Sequence, residues 1–328
     1  MSDAPRPRVL VTRRIPEAGL DLIRAACDVD LWEDELPPPR DELLRRVAGI
    51  DGLLSLLTDK VDDELLDAAG PQLKVVSNFA VGYDNIDLAA CARRDIPVGN
   101  TPGVLTAATA DIAFALLMSV ARRLPEGYDH VRQDRWKTWG PLLLLGKDLA
   151  GATLGIIGFG RIGQEVAKRA RGFSMRVIYH DRARVSAEQE AATGGSMVSL
   201  DELLAQSDFI SLHTDLNAST RGLIGREALA KVKRGAVLIN TSRGPVVEQE
   251  ALYDALKSGQ LFGAGLDVTD PEPLRADHPL LSLPNCLIVP HIASATVDTR
   301  DAMARKAANN LLAGLRGEPL PDRVAPPA

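Results

Sequence analysis

Cysteine and aromatic residues are scarce in this sequence. Its 328 residues include three cysteines, Cys27, Cys91 and Cys286, and aromatic residues make up 4%. An odd number of widely separated cysteines argues against a disulfide framework, and their spacing does not match a zinc site. We therefore expect no bound metal and a cytoplasmic location.

The sequence also lacks long apolar runs and an excess of positive charge. The longest helical apolar run, residues 112–121, is far shorter than the roughly 20 residues that span a bilayer. The first residues show no cationic segment leading into an apolar one, so we expect neither export nor a membrane span. With 44 acidic and 38 basic residues the net charge is −6. Bulk attraction to nucleic acid is therefore not expected, and any anion must be bound locally.

Short runs rich in Val, Ile and Leu alternate with segments of helical spacing. Such alternation is typical of βαβ units with parallel strands. At about 150 residues per domain, the length indicates about two domains. We predict the α/β class, with two doubly wound, parallel-sheet, Rossmann-like domains. The nine predicted strands are RVLVT, DGLLSLL, LKVVSN, LGIIG, MRVIYH, DFISLH, AVLIN, GAGLDV and CLIVP.

The order of these segments predicts a discontinuous first domain. Proline and glycine interrupt the pattern at residues 98–106, and a long final helix follows the last strand. We expect this helix to return to the beginning of the chain. The prediction is a substrate domain of residues 1–100 and 295–328, with a dinucleotide-binding domain of residues 101–294 inserted into it.

A glycine-rich motif follows the strand TLGII and precedes a helical segment. Gly158, Gly160 and Gly163 form the pattern G-x-G-x-x-G. In this context the glycines permit a tight turn, close approach of a diphosphate, and packing of helix on strand. The alternative is a strand-to-helix turn with no ligand. The context favours a dinucleotide site.

Asp181 bears on the choice of dinucleotide. It ends the next strand, 18 residues after Gly163, where an acidic side chain accepts hydrogen bonds from ribose hydroxyls. A carboxylate there repels a 2′-phosphate by roughly 1 to 4 kcal/mol, which favours NAD(H). Arg182 and Arg184 favour NADP(H), because a guanidinium binds that phosphate. We expect NAD(H), with NADP(H) as the alternative.

Three charged residues follow later strands on the side where ligands bind in such sheets. Arg243 can hold a small carboxylate, although a surface arginine is the plainer interpretation. His291 either donates a proton to a developing alkoxide or is a buried imidazole bonded to a carbonyl. Glu272 favours the first, because a carboxylate partner fixes the tautomer. Together they suit reversible hydride transfer to a 2-keto acid.

The sequence resembles the D-2-hydroxyacid dehydrogenase family over nearly its whole length. Within that family it is most similar to the glyoxylate/hydroxypyruvate reductases, because of VTRRIP and AANNLLAGLRGEPLP. The segments that carry the family resemblance are SNFAVGYDNID, NTPGVLTAATAD, GIIGFGRIG, NTSRGPVV, GLDVTDPEPL and LPNCLIVPHIASAT.

This resemblance implies roles for residues in both domains. His291 is the acid/base, Glu272 its partner, and Arg243 binds the substrate. The amides of Val81 and Gly82 hold the substrate carboxylate. The residues implied to line the cofactor are Thr109, Gly158, Phe159, Gly160, Arg161, Ile162, Gly163, Asp181, Arg182, His213, Thr214, Thr220, Thr241 and Asp267.

The resemblance also implies a homodimer in which Trp139 reaches the active site of a neighbouring subunit and limits substrate size; packing within its own chain is the alternative. One departure from the family pattern is visible, since His213-Thr-Asp-Leu replaces the common His-x-Pro-Leu and adds an acidic residue near the expected adenosine site.

Three other functions remain open. They are a dinucleotide-sensing scaffold of the co-repressor type, a dehydrogenase for another small D-2-hydroxy acid, and formate dehydrogenase, against which the His–Glu pair argues.

Overall fold

The computed structural model describes residues 5–325 and divides the chain into two compact units. The first unit comprises the chain up to Leu105 and the segment from Ala295 onwards, and the second comprises Thr106–Ser294. The outer limits of the predicted substrate domain, residues 1 and 328, lie outside the described residues. Each unit contains one sheet in which every strand pairs in parallel. The predicted class of two parallel-sheet α/β domains is confirmed.

The first unit has a five-stranded sheet of order β2-β1-β3-β4-β5. This order is that of a doubly wound fold, in which the order of strands across the sheet reverses at β1 while all strands stay parallel. Its elements are β1 (Arg8–Val11), α1 (Glu17–Ala26), β2 (Asp28–Leu31), α2 (Arg40–Arg46), β3 (Gly52–Ser55), α3 (Asp63–Ala69), β4 (Val75–Asn78), α4 (Leu88–Arg93) and β5 (Val98–Gly99), with the C-terminal helix described below.

The second unit has a seven-stranded sheet of order β12-β11-β10-β9-β6-β7-β8. Its elements are α5 (Thr106–Ala121), α6 (Leu124–Arg132), β6 (Thr153–Ile157), α7 (Arg161–Gly172), β7 (Arg176–His180), α8 (Ala187–Thr193), β8 (Gly195–Met197), α9 (Leu200–Gln206), β9 (Phe209–Leu212), α10 (Arg226–Lys231), β10 (Ala236–Asn240), α11 (Gln249–Lys257), β11 (Leu261–Leu266) and β12 (Cys286–Ile288). Strand order reverses at β6, and β6 leads into the glycine motif. Open sheets of this kind bind ligands at that point.

The C-terminal helix α12 (Val297–Leu315) packs against elements at the start of the chain. A Cβ built at Gly19 in α1 would lie 2.4 Å from the carbonyl oxygen of Ala304 in α12. A Cβ built at Gly314 would lie 2.5 Å from the side chain of Val75 in β4. Glycine at both positions lets α12 approach the first unit closely. The end of the chain is thereby part of the fold formed by its beginning.

All nine predicted strands are present, and three further strands were missed. β2 is a partly exposed edge strand, DVDL, with two acidic residues, and β5 and β8 contain two and three residues. Such short or polar strands carry little apolar periodicity, so they depend on pairing with a neighbour. Across residues 5–325, none of the helices combines the length and the apolar character that a bilayer crossing requires.

Candidate active site

The glycine turn of the second unit joins β6 to α7. Gly158 has a φ of +89°, and a Cβ there would lie 2.5 Å from the carbonyl oxygen of His213. A Cβ at Gly163 would lie 2.3 Å from the carbonyl oxygen of Gly158. At Gly160, by contrast, a Cβ would meet no atom within 4 Å, and no side chain caps α7 there. The backbone amides at the start of α7 therefore suit the diphosphate of a dinucleotide.

Asp181 follows β7 and lies against this turn. Its carboxylate accepts hydrogen bonds from the backbone N–H groups of Phe159 and Arg182, each at 2.6 Å. An acidic group is thus held beside the glycine turn, as expected for a residue that binds ribose hydroxyls. The ring of Phe159 is buried and stacks on Tyr179, with centroids 3.9 Å apart. Phe159 can therefore offer a cofactor only its backbone.

The two arginines after Asp181 differ in their partners. Arg184 binds both carboxylate oxygens of Glu190, each at 2.9 Å. The Tyr179 hydroxyl donates to the same carboxylate at 2.8 Å. Arg182 is exposed. Because Glu190 offsets the charge of Arg184, this guanidinium has less attraction for a 2′-phosphate than the sequence indicated.

His213 and Thr214 follow β9 and adjoin the glycine turn. Burial lowers the pKa of His213 to about 3, so its ring is neutral at ordinary pH. The ring nitrogens lie 2.8 Å from the hydroxyl of Ser211 and 3.4 Å from that of Thr241. The buried hydroxyl of Thr214 has no hydrogen-bond partner within residues 5–325. Buried polar atoms are normally paired, so this orphaned hydroxyl fits a site that a cofactor completes.

The remaining predicted cofactor residues are less distinctive. Arg161 is exposed and Ile162 half-buried in the first turn of α7, and Thr109 is buried in α5. The Thr220 hydroxyl donates to the carbonyl of Asp215 at 2.6 Å and so closes its own turn. Contacts of these four residues with a cofactor stay predictions.

Glu272 and His291 form a hydrogen-bonded pair. His291 Nδ1 lies 2.9 Å from Glu272 Oε2, while Glu272 Oε1 accepts the N–H of Thr269 at 2.9 Å. Burial raises the pKa of Glu272, but the hydrogen bond and charge of His291, the N–H of Thr269 and the charge of Arg243 together leave the pKa below its usual value. The side chains are 28% exposed for His291 and 32% for Glu272. The pair thus keeps Nε2 as the ring nitrogen for a substrate.

Asp267 builds the turn that carries His291. Its buried carboxylate accepts the N–H groups of Ile292 and Ala293 at 2.7 and 2.9 Å, and its carbonyl accepts the N–H of His291 at 2.9 Å. His291 has a φ of +54°, a conformation that non-glycine residues rarely adopt, and these bonds hold it there. Burial raises the pKa of Asp267. Its expected contact with the nicotinamide amide stays a prediction.

Arg243 follows β10 and lies near the Glu272–His291 pair. Burial and His291 dominate the pKa of Glu272, and the positive charge of Arg243 lowers that pKa further. The side chain of Asn240 donates to the carbonyl of Arg243 at 2.9 Å, and Arg243 Nη1 donates to the carbonyl of Ser242 at 2.9 Å. Arg243, Glu272 and His291 therefore belong to the same unit, and the charges of Arg243 and His291 both act on the carboxylate of Glu272.

Two residues couple the loop of Arg243 to the loop of Glu272. A Cβ built at Gly244 would lie 1.9 Å from the carbonyl oxygen of Thr269, so the two backbones touch there. Gln249, at the start of α11, donates to the carbonyl of Asp270 and accepts from its N–H at 3.4 Å. Sequence reasoning missed Gln249 and Gly244, because nothing in the local pattern marks contacts between separate loops. Asn240, whose side chain bonds the carbonyl of Arg243, could have been found from the sequence, because a polar residue at the end of a buried strand needs a hydrogen-bond partner.

The predicted substrate residues of other segments are also described. Val81 and Gly82 lie half-buried in the loop after β4 of the first unit. Trp139 lies in the segment after α6 and is 78% exposed. Neither placement tests contact with a substrate.

The fold and this site are those of a nicotinamide-dependent dehydrogenase of 2-hydroxy acids. The protein-family sequence model for the NAD binding domain of D-isomer specific 2-hydroxyacid dehydrogenases matches residues 114–293. The chain belongs to the D-isomer specific 2-hydroxyacid dehydrogenase family.

Relatives with named activities cover nearly the whole chain. A glyoxylate reductase of Korarchaeum cryptofilum is 52% identical over 97% of this chain and 96% of its own length. A human glyoxylate reductase/hydroxypyruvate reductase is 50% identical over 97% of both. The crystal structure of an NADPH-dependent glyoxylate/hydroxypyruvate reductase from Sinorhizobium meliloti, in complex with NADP and malonate, has a TM-score of 0.85 at 35% identity, covering 98% of this chain and 97% of that one.

Proposed function

We propose that this protein is an NAD(P)H-dependent reductase that converts glyoxylate to glycolate and hydroxypyruvate to D-glycerate. The observation that carries the proposal is the Glu272–His291 hydrogen bond of 2.9 Å in the same unit as Arg243 and the glycine turn. The names of the relatives at 50% identity or more support the same substrates. A hydrogen-bonded imidazole, a guanidinium and a dinucleotide turn together supply what keto acid reduction requires.

The chain's own residues would bind and protonate the substrate. Amides of the glycine turn and the carboxylate of Asp181 would hold a nicotinamide dinucleotide, which when bound supplies the hydride for the keto carbon. Arg243 would pair with the substrate carboxylate and polarise the carbonyl. Because Nδ1 of His291 is held by Glu272, its Nε2 would give a proton to the carbonyl oxygen as the alkoxide forms. In the reverse direction the same nitrogen takes that proton back.

We propose that NAD(H) is preferred over NADP(H). The carboxylate of Asp181 would repel a 2′-phosphate, and the pairing of Arg184 with Glu190 removes one cation that would offset this repulsion. At an effective dielectric near 20 two charges about 4 Å apart interact by about 4 kcal/mol, and by about 1 kcal/mol in water. The Sinorhizobium relative binds NADP, so this preference is a property of these side chains and not of the family.

We propose that the protein is a cytoplasmic homodimer that associates through α6 and the segment after it. Large apolar side chains are exposed there: Leu124, Tyr128, Val131, Trp136, Trp139, Leu142 and Leu145 are each 56–80% exposed. Exposed apolar patches of this kind mark interaction surfaces. Trp139 would contact the neighbouring subunit and restrict the size of the substrate. The scarcity of cysteine supports the cytoplasmic location.

The proposal is tested by measuring the reduction of a panel of 2-keto acids with NADH and with NADPH. Glyoxylate and hydroxypyruvate should give the highest kcat/KM. His291→Ala should abolish turnover while NADH binding, measured by fluorescence, is kept. His278→Ala is the matched control, since His278 lies in another loop and accepts the N–H of Leu280. Equal activity of the two variants, or no turnover of any keto acid by the unaltered protein, would refute the proposal.

A further inference from the structure

The loop after β4 presents three successive carbonyl groups to the ends of β4 and β5. Each carbonyl accepts one hydrogen bond, and two of the three donors are asparagine side chains. The bonds run from Thr101 N–H to Ala80 O at 2.9 Å, from Asn100 Nδ2 to Val81 O at 2.8 Å, and from Asn78 Nδ2 to Gly82 O at 2.9 Å.

These bonds determine where the N–H groups of the loop point. In the described chain, cis peptide bonds occur only before Pro271 and Pro273, so the peptides of this loop are trans. In a trans peptide the N–H is antiparallel to the C=O. The N–H groups of Val81, Gly82 and Tyr83 therefore point away from the asparagines and the strand ends. Successive N–H groups that share a side of a loop form a concave site for an anion.

The two asparagines are themselves held in one orientation. Asn78 is fully buried; its Oδ1 accepts the hydroxyl of Ser55 at 3.1 Å, and its Nδ2 donates to Gly82 O and, at 3.1 Å, to Oδ1 of Asn85. Asn100 is 9% exposed; its backbone carbonyl accepts Nδ2 of Asn310 in α12 at 2.9 Å, and its own Nδ2 is paired with Val81 O. Buried amides are costly to leave unpaired, so each asparagine favours the single arrangement that pairs it.

We propose that Asn78 and Asn100 are positioning residues, which orient the loop amides so that they receive the carboxylate of the substrate. The inference rests on the proposed function and adds the groups that fix the donors. Without the side-chain donor at residue 100, the peptide between Val81 and Gly82 loses the hydrogen bond that fixes its orientation and can rotate. A rotated peptide turns a carbonyl oxygen towards the anion in place of an N–H, and repulsion replaces attraction.

Asn100→Leu tests this role, because leucine keeps the approximate shape and removes the donor. We expect KM for glyoxylate and Ki for oxalate, a carboxylate probe, to rise about tenfold, the scale of one lost hydrogen bond to a charged group. We expect kcat to change less than about twofold, since the loop contributes binding and not proton transfer. The Kd of NADH should not change.

Ser77→Ala is the matched control. Ser77 is buried in β4 beside Asn78, and its hydroxyl donates to the carbonyl of Ala307 in α12 at 2.8 Å, whereas Asn100 donates to the loop carbonyl of Val81. Both variants should lower the melting temperature, but only Asn100→Leu should raise KM and Ki. If Asn100→Leu does not fold, Asn100→Ala replaces it with the same expected changes.

The outcomes separate the inference from the function on which it rests. An unaltered protein that reduces no keto acid would refute the proposed function. An active protein whose Asn100 variants keep the KM for glyoxylate and the Ki for oxalate would refute the positioning role alone. Equal increases in KM for Ser77→Ala and the Asn100 variants would also refute it, because general loosening of the first unit would then explain both.

Discussion

Replacing Gly244 by alanine should damage catalysis without altering the three side chains proposed for it, Arg243, Glu272 and His291. Gly244 directly follows Arg243, and its α-carbon faces the backbone of the Glu272 loop. A Cβ there would lie 1.9 Å from the carbonyl oxygen of Thr269 and 2.7 Å from the nitrogen of Asp270. Both atoms belong to backbone, so no side chain can rotate away to make room. The Arg243 and Glu272 loops must separate.

The size of the effect follows from this geometry. Contacts of real Cβ atoms below 3.0 Å are essentially absent, so the separation must be about 1 Å or more. A misplacement of about 1 Å can cost about 100-fold in rate. Thr269 also donates its N–H to Glu272, so the movement would disturb the Glu272–His291 pair directly. We expect kcat/KM for glyoxylate to fall about 100-fold, with about 1–3 kcal/mol lost from the free energy of unfolding.

Steady-state reduction of glyoxylate, NADH binding by fluorescence and thermal melting test this prediction together. Gly172→Ala is the control, because a Cβ at this exposed end of α7 would meet no atom within 4 Å. It should leave activity unchanged. Gly244→Ala should keep NADH affinity, since the glycine turn lies elsewhere in the unit. Unchanged kcat/KM in Gly244→Ala would show that the contact between the two loops does not set the active geometry.

Three further predictions concern charge and assembly. Glu272→Gln should lower kcat by about 100-fold or more, and the difference in melting temperature from the unaltered protein should shrink as the pH falls below the usual pKa of a glutamate. The reason is that the pKa of Glu272 is lower in the folded than in the unfolded protein. The ionised carboxylate therefore stabilises the fold at any pH above its unfolded pKa, and this stabilisation is lost as the pH falls through the folded pKa. Asp181→Asn, which keeps an acceptor for Phe159, should raise the ratio of NADPH to NADH affinity about tenfold, and an unchanged ratio in titrations would exclude Asp181 from cofactor choice. Leu142→Asp should shift sedimentation from dimer towards monomer; Leu36→Asp, at another exposed site, should not.

Local patterns were sufficient to predict nine of the twelve strands that the structure describes, and the polar and charged residues that follow several of them. The nine apolar runs became strands because a strand buried on both faces must be apolar along its whole length. Gly158, Gly160 and Gly163 were recognised by their spacing; close backbone approach excludes a side chain at Gly158 and Gly163, while Gly160 leaves the start of α7 open. Arg243, Glu272 and His291 were proposed as site residues because parallel strands end on the same edge of a sheet, and the structure places all three in the second unit. Their catalytic roles stay a prediction.

The sequence by itself determined two parallel-sheet domains, the glycine turn and the residue types proposed for catalysis, because these depend on periodicity and spacing within short segments. The tertiary structure alone decided how Phe159 turns its ring onto Tyr179, how Glu190 pairs with Arg184, and how Asp267 holds the turn of His291. It also decided that Asn100 holds the loop of Val81. Such contacts join residues from separate elements, and their energies depend on the distance and burial that only the folded chain sets.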